Sequence, residues 1–442
     1  MSAVVCSLFL VHFCLIYKYA VNLPYADEWG LMSIDNHPAS LDLPWLYEQV
    51  NDHRTSTMKL YVWFQFHLDG WNLRIERMAD FVIYGLFVGL LAFIAGKIQT
   101  TLPVWGILAF LVFLFSTVIW PDPLAPQYSA SVHFWLLSFI GSAYLLFAKR
   151  QRTVTTIFAC LISVCSIYSF AAGFVTSLIT LAAFCIFKGT RLKAASPNER
   201  RREIAQLMAA IAIVGGALVS WILDYHKPAY IPAMALPHQK IFWDFFLNVL
   251  SFSFGVNSMS DVAGIICLLI VLIPIVGQVW QQKGRLSNAQ WCLFTISFAV
   301  LADLCAISIG RANGFGPGWS KVGEYPEHGM PLIVLSAVNW AMFLKTAKLR
   351  VPIIAALWLF CFAAFADNWD FDRYLRSATT DLQTYQCVES YYAGVGDGHC
   401  RGTFGDYPHP EVLLERARRL NLSFYRDMSD HIRAKTQSDV KP

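Results

Sequence analysis

Apolar runs close to membrane-spanning length recur along almost the whole chain, and this recurrence limits the fold more than any single motif does. A helix needs roughly 20 mainly apolar residues to cross a bilayer. Only helices and closed barrels satisfy the backbone there. Segments 3–20, 80–98, 103–120, 130–148, 154–170, 172–187, 205–223, 260–281, 290–309, 329–345 and 351–366 meet or approach that length. Of the 442 residues, 56% are hydrophobic and 14% charged, with a mean hydropathy of +0.47. Soluble domains carry about 25% charged residues. Aromatic residues make up 15% of the chain, many near the ends of apolar runs, as interfacial belts require. The expectation is an all-α polytopic membrane protein of about eleven spans.

The block 154–187 is too long for one crossing, and Gly173 offers a turn within it. Dividing it there aligns the basic clusters. Lys149, Arg150 and Arg152, then Lys188 to Arg202, Lys283 with Arg285, and Lys345 to Arg350 all fall on one side. The positive-inside rule makes that side cytoplasmic, leaving the N-terminus inside and the C-terminus outside. The first span lacks a basic leader and a small-residue cleavage site, so it is expected to be retained. A transmembrane module, 1–366, then presents outer loops 21–79, 121–129, 224–259 and 310–328, followed by a polar region, 367–442. Aromatic stretches at Leu43–Leu46, Leu60–Phe66 and Trp243–Leu250 suit helices lying in the membrane interface.

The outer loops hold the residues that could carry chemistry. Asp27 and Glu28 follow the first span; Asn51, Asp52, His53 and Arg54 come later in the same loop; Asp122 lies between two prolines. Asp303 sits in the ninth span, two turns before Arg311, with which it could pair. The glycine-rich stretch Gly310–Gly318 is flanked by Arg311 and Lys321, and glycine lets a backbone approach a ligand closely. An acid can take a proton from an acceptor hydroxyl, while cations stabilise a leaving phosphate. His133 lies within a span without an evident partner, and His226, His238 and His328 are scattered. No His/Cys grouping suggests zinc. Cys387 and Cys400 are the only cysteines of the polar tail, a placement that fits a disulfide.

Asp27-Glu28-Trp29, Asn51-Asp52-His53-Arg54 and Gly310-Arg311 through Gly316 together resemble the GT-C superfamily of membrane glycosyltransferases, nearest to those that modify O-antigen or other bacterial envelope glycans. The resemblance implies inverting transfer of a sugar from a polyprenyl-phosphate donor to a glycan acceptor on the periplasmic face of the bacterial inner membrane. Asp27 or Glu28 would be the base. His53, Arg54 and Asp122 would shape the site, with Arg311, Lys321 and Tyr325 toward the lipid phosphate. Relatives tend to end the late loop on an Arg-Tyr pair, whereas this chain has Lys321-Val322-Gly323-Glu324-Tyr325. No cofactor is demanded, although carboxylates beside phosphate could hold Mg²⁺ or Mn²⁺. Partners would be the lipid-linked donor, the glycan and membrane lipids, without nucleic acid. A transporter or flippase of a lipid-linked intermediate is the alternative from another class; it would favour polar groups within helices and repeat symmetry. A glycan polymerase or ligase is chemically close.

Overall fold

The computed structural model describes residues 2–24, 28–29, 41–50, 53–98, 104–115, 126–149, 151–228, 232–321, 324–368, 371–396, 400 and 409–439. Asp27, Asn51, Asp52 and Asp122 lie outside them. Among the described residues the protein is helical, without strands; only an isolated bridge joins Val50 and His53. In chain order, α1 (Ser2–Tyr19) leads to two short helices, α2 (Leu43–Tyr47) and α3 (Ser56–Asp69), and then to α4 (Leu73–Ile98) and α5 (Val104–Leu111). The middle comprises α6 (Pro126–Leu146), α7 (Thr153–Ile167), α8 (Ala171–Leu192), α9 (Pro197–Ala210) and α10 (Gly216–Ile222). A single π-helical stretch, Ile211–Gly215, joins the last two. Then follow α11 (Lys240–Ser253), α12 (Asp261–Gln281), α13 (Asn288–Phe315), α14 (Glu324–Gly329), α15 (Pro331–Phe343) and α16 (Ala347–Asp367). The tail forms α17 (Phe371–Tyr392), α18 (Pro410–Arg419) and α19 (Ser423–Asp439).

Among the described residues six helices are long and apolar enough to cross a membrane: α4, α8, the joined α9–α10, α12, α13 and α16. Their surroundings differ. On α12, Val262, Ile265, Ile266, Leu269, Ile273 and Val276 are exposed, and on α16 so are Val351, Leu359 and Phe362. Apolar surface of that extent is untenable in water and natural against lipid. By contrast α13 is the most enclosed of the six, with Leu293, Ile296, Ala299, Val300 and Leu304 all fully buried. It is the axis around which α6, α8, α11 and α15 pack.

Two helices do occupy 154–187, but the chain turns at residues 168–170, just before Gly173. Gly173 serves the packing instead. A Cβ there would meet the Ser166 carbonyl oxygen at 1.8 Å, so only glycine lets α8 start this close to the end of α7. The Trp243–Leu250 stretch also departs from expectation. It belongs to α11, whose residues Phe245 to Ser253 are all buried against α12, α13 and α14; apart from the exposed Trp243, its aromatics fill the bundle rather than cover it. On α3, in contrast, Leu60, Phe64 and Leu68 form an exposed stripe at i, i+4 and i+8, while Met58, Lys59, Val62 and Gln65 face inward. That pattern is the one an interfacial helix shows.

The bundle has two chemically distinct ends. At the basic end Lys188 is buried with its ammonium on Gln151, Glu203 and Gln206. Arg191 reaches Asn288, and Asn288 in turn holds the carbonyls of Phe147 and Ala148. At the opposite end the tail docks on early residues in a second apolar cluster. Val388, Leu413, Leu414, Phe424 and Met428 close over Leu23, Trp29, Val62 and Trp71. Cys387 and Cys400 are joined by a disulfide.

Candidate functional site

The Asn22 side chain ties three parts of this opposite end together. Its oxygen accepts from the Leu73 amide at 3.0 Å, at the first residue of α4. Its amide donates to Asp427 at 2.7 Å and Ser423 at 3.0 Å in the tail. The turn from α3 into α4 is equally constrained. Gly70 and Trp71 both take positive φ, 76° and 60°, which is costly for tryptophan. Arg426 of the tail caps this turn by donating to the Asp69 carbonyl at 2.6 Å. The outcome is an indole aimed into the protein: Trp71 Nε1 donates to Glu76 Oε2 at 2.8 Å.

Glu76 has company. Glu28 is buried and close enough to interact with it electrostatically. Trp29, the next residue, is fully buried and stands edge-on to Phe424 at 5.7 Å, so the tail helps fix where Glu28 lies. Arg77 sends Nη2 to the Leu23 carbonyl at 3.3 Å. Its Nε and Nη1 are buried without hydrogen-bond partners, and so is Asp381 Oδ2 of α17. The carboxyl of Asp381 is pushed up by burial and pulled back by the nearby Arg77 charge.

One turn deeper along α4 lies a second set. His133 of α6 has Nδ1 2.8 Å from Asp80 Oδ1 and Nε2 2.6 Å from Glu327 Oε1 of α14. Two hydrogen bonds across one imidazole require two protons, either both on the ring or one on the ring and one on a carboxyl group. The second Glu327 oxygen is buried and unpartnered. Tyr61, from the inward face of α3, has a buried and unpartnered hydroxyl. Burial, then the charges of Glu76, Asp80 and Asp69, push this phenol well up, so it remains a hydrogen-bond donor. Adjacent to this set, His328 Nδ1 meets Asp303 Oδ2 at 2.6 Å, while His328 Nε2 lacks a partner. The His328 ring lies against Trp135 and edge-on to Phe170, and His53 stacks on Phe170 at 4.3 Å.

Of the residues singled out from sequence, Glu28, His53 and Asp303 belong to this buried acidic cluster. Arg54 does not enter it. Its guanidinium lies over the Tyr47 ring and donates to the carbonyls of Tyr47, Trp221 and Leu223, fully engaged as a backbone clamp. Asp303 turns to His328 rather than to Arg311. Arg311 lies near the Phe315 ring, at 5.8 Å. The expected Gly310–Gly318 loop is helical as far as Phe315. Gly314 is needed where that helix touches Pro232, 2.2 Å from a would-be Cβ, and Gly316, at φ 73°, ends it. Lys321 lies on the 3-10 turn Pro317–Lys321, over Phe252 at 5.7 Å, its ammonium pushed down by burial. Tyr325 is buried beside Phe245.

Sequence reasoning missed Glu76, Arg77, Asp80, Glu327 and the partners of His133 and His328. One signal was available: four ionisable residues, Arg74, Glu76, Arg77 and Asp80, in the first eight positions of a spanning helix are costly. Among the described residues no group of three or more His, Cys, Asp or Glu is arranged to hold a metal ion. Comparison of the chain with protein-family models, curated proteins and solved structures gives no match.

Proposed function

We propose that this membrane protein is an inverting glycosyltransferase that takes a sugar from a polyprenyl-phosphate donor and passes it to an envelope glycan. The observation that carries this reading is Glu28: a carboxylate from the loop after α1, buried beside Glu76 and kept there by the tail. In the reaction an acceptor hydroxyl oxygen attacks the anomeric carbon while the bond from that carbon to the phosphate oxygen breaks. Glu28 or the adjacent Asp27 takes the hydroxyl proton. Polyprenyl phosphate leaves with the bonding pair, and Lys321 stabilises the charge it gains. The reading includes about eleven crossings, the acidic end facing the periplasm and the basic end the cytoplasm. The common location of the basic clusters supports that orientation.

Transfer from a synthetic polyprenyl-phosphate sugar, followed in proteoliposomes, tests it. Glu28→Gln should lower the rate by roughly 10²–10⁴, the range of a general base. Unchanged turnover in Glu28→Gln and Asp27→Asn alike would sink the assignment. The Asp80–His133–Glu327 set favours a second reading, proton-coupled movement of a lipid-linked intermediate, since ionisable chains within a bundle often relay protons. Under that reading Glu327→Gln abolishes movement across sealed vesicles and no sugar changes carrier.

A further inference from the structure

At the basic end, α12, α13, α15 and α16 leave a cavity of about 600 Å³ between them, with Gln278 and Gln290 on its wall. Both amides are buried and held in place. Gln290 accepts from the Ser287 amide at 2.9 Å and donates to Gln278 at 3.1 Å, which donates to the Asn339 carbonyl at 3.1 Å. Behind this wall the polar groups change character. Asn339 is 1% exposed, yet neither its side-chain nitrogen nor its oxygen meets a protein group. Ser336 lies one turn away on the same face of α15, and Ser297 lies two turns beyond Gln290 on the same face of α13. Their hydroxyls are equally buried and, among the described residues, equally unmet. A helical serine ordinarily turns back on the carbonyl four residues earlier, as Ser308 does on Leu304 at 2.7 Å; Ser297 and Ser336 do not.

Buried polar groups left unsatisfied by protein are costly, and they are the groups around which internal water collects, with about two to four partners per molecule. The Asn339 amide offers two donors and an acceptor, and each hydroxyl adds both functions. The line also has a direction. Ser297 precedes Asp303 on α13 by about 9 Å of helix, and Asp303 holds His328, whose Nε2 is buried and unmet. The adjacent Glu327 continues to His133 and Asp80. Polar side chains kept inside a bundle, away from lipid, mark ion and proton routes. We propose that the cavity continues as a hydrated inlet past Asn339, Ser336 and Ser297, through which protons reach Asp303 and His328 from the basic side of the membrane. Each water or hydroxyl accepts one proton and passes on another, so nothing is oxidised and no co-reactant is consumed. The inlet does not depend on sugar transfer at Glu28.

The test uses the full chain with two readouts. In separate variants, Ser297→Cys and Ser336→Cys are treated with a small water-soluble methanethiosulfonate. The controls are Ile296→Cys, fully buried beside Ser297, and the native buried thiols Cys267 and Cys292. Thiols in apolar surroundings are inert, so the two serine positions should label roughly tenfold faster than the controls. In sealed proteoliposomes with an internal pH dye, a potassium-valinomycin potential and no sugar donor, wild type should pass protons. Asn339→Leu should lower that flux roughly tenfold. Should Asn339→Leu fail to fold, Ser297→Ala/Ser336→Ala carries the same comparison. Labelling no faster than that of Ile296→Cys would overturn the inlet. Flux equal to that of empty vesicles, or unchanged in the variants, would overturn its role for protons, and with no donor present that failure is distinct from failure of sugar transfer.

Discussion

Lys188 at one end of the bundle and Glu327 at the other are both buried ionisable side chains, yet their surroundings are opposites. The Lys188 ammonium has three protons to donate and three acceptors at 2.5–2.6 Å. Glu327 uses one oxygen on His133 and leaves the other unmet, and unpartnered atoms of Tyr61, Arg77 and His328 belong to the same end. Buried polar groups are normally hydrogen-bonded, and those left open demand an explanation. A closed cluster fastens helices. An open one keeps valence for a substrate or a proton.

Substitutions can break this contrast. The largest effect on stability is expected from Lys188→Met, which leaves the buried Glu203 with only the longer contacts to Arg202 at 3.6 Å and Arg191 at 4.0 Å and should cost about 3 kcal/mol, the low end for breaking a buried pair. Unfolding of the purified protein would measure it, and Lys188→Met/Glu203→Met should recover most of the loss. Glu327→Gln should behave differently, with stability within about 1 kcal/mol of wild type and, under the proton-coupled reading, transport abolished. A loss as large as that of Lys188→Met would mean the acidic end is also a fastening. The smallest effect concerns Lys59, whose ammonium donates to the carbonyls of Trp45 and Glu48. Burial pushes it down to about 8, against the pull of Glu48. Between about 8 and the ordinary value of 10.5, the unfolded chain holds a proton that the folded one has released. Wild type should therefore gain stability relative to Lys59→Met as pH rises through that window. A flat difference would show that Lys59 titrates normally.

Much of the architecture was legible because hydrophobic length is a local property. The helical membrane character follows from the apolar runs, and the two helices within 154–187 follow from their combined length. The buried acidic cluster was largely illegible because its contacts are not local. His133 and Glu327 are 194 positions apart, and neither looks special until α6 and α14 pack side by side. Glu76 and Arg77 fall within the expected outer loop 21–79 and Asp80 at the first position of the span 80–98, whereas all three are buried on α4. The glycines of 310–318 misled for a related reason: glycine permits close approach, but sequence does not say whether a ligand or Pro232 is the thing approached.

Asn22 finds its partners Ser423 and Asp427 only 401 and 405 positions later, and Trp29 waits equally long for Phe424. During synthesis the early loop is therefore made and threaded well before anything exists to organise it. Its carboxylate comes into register only when the distant helices arrive on the same face of the membrane and dock. A nascent or shortened chain would insert its helices and yet leave this buried cluster unassembled, so that biogenesis itself determines when the proposed site first takes shape.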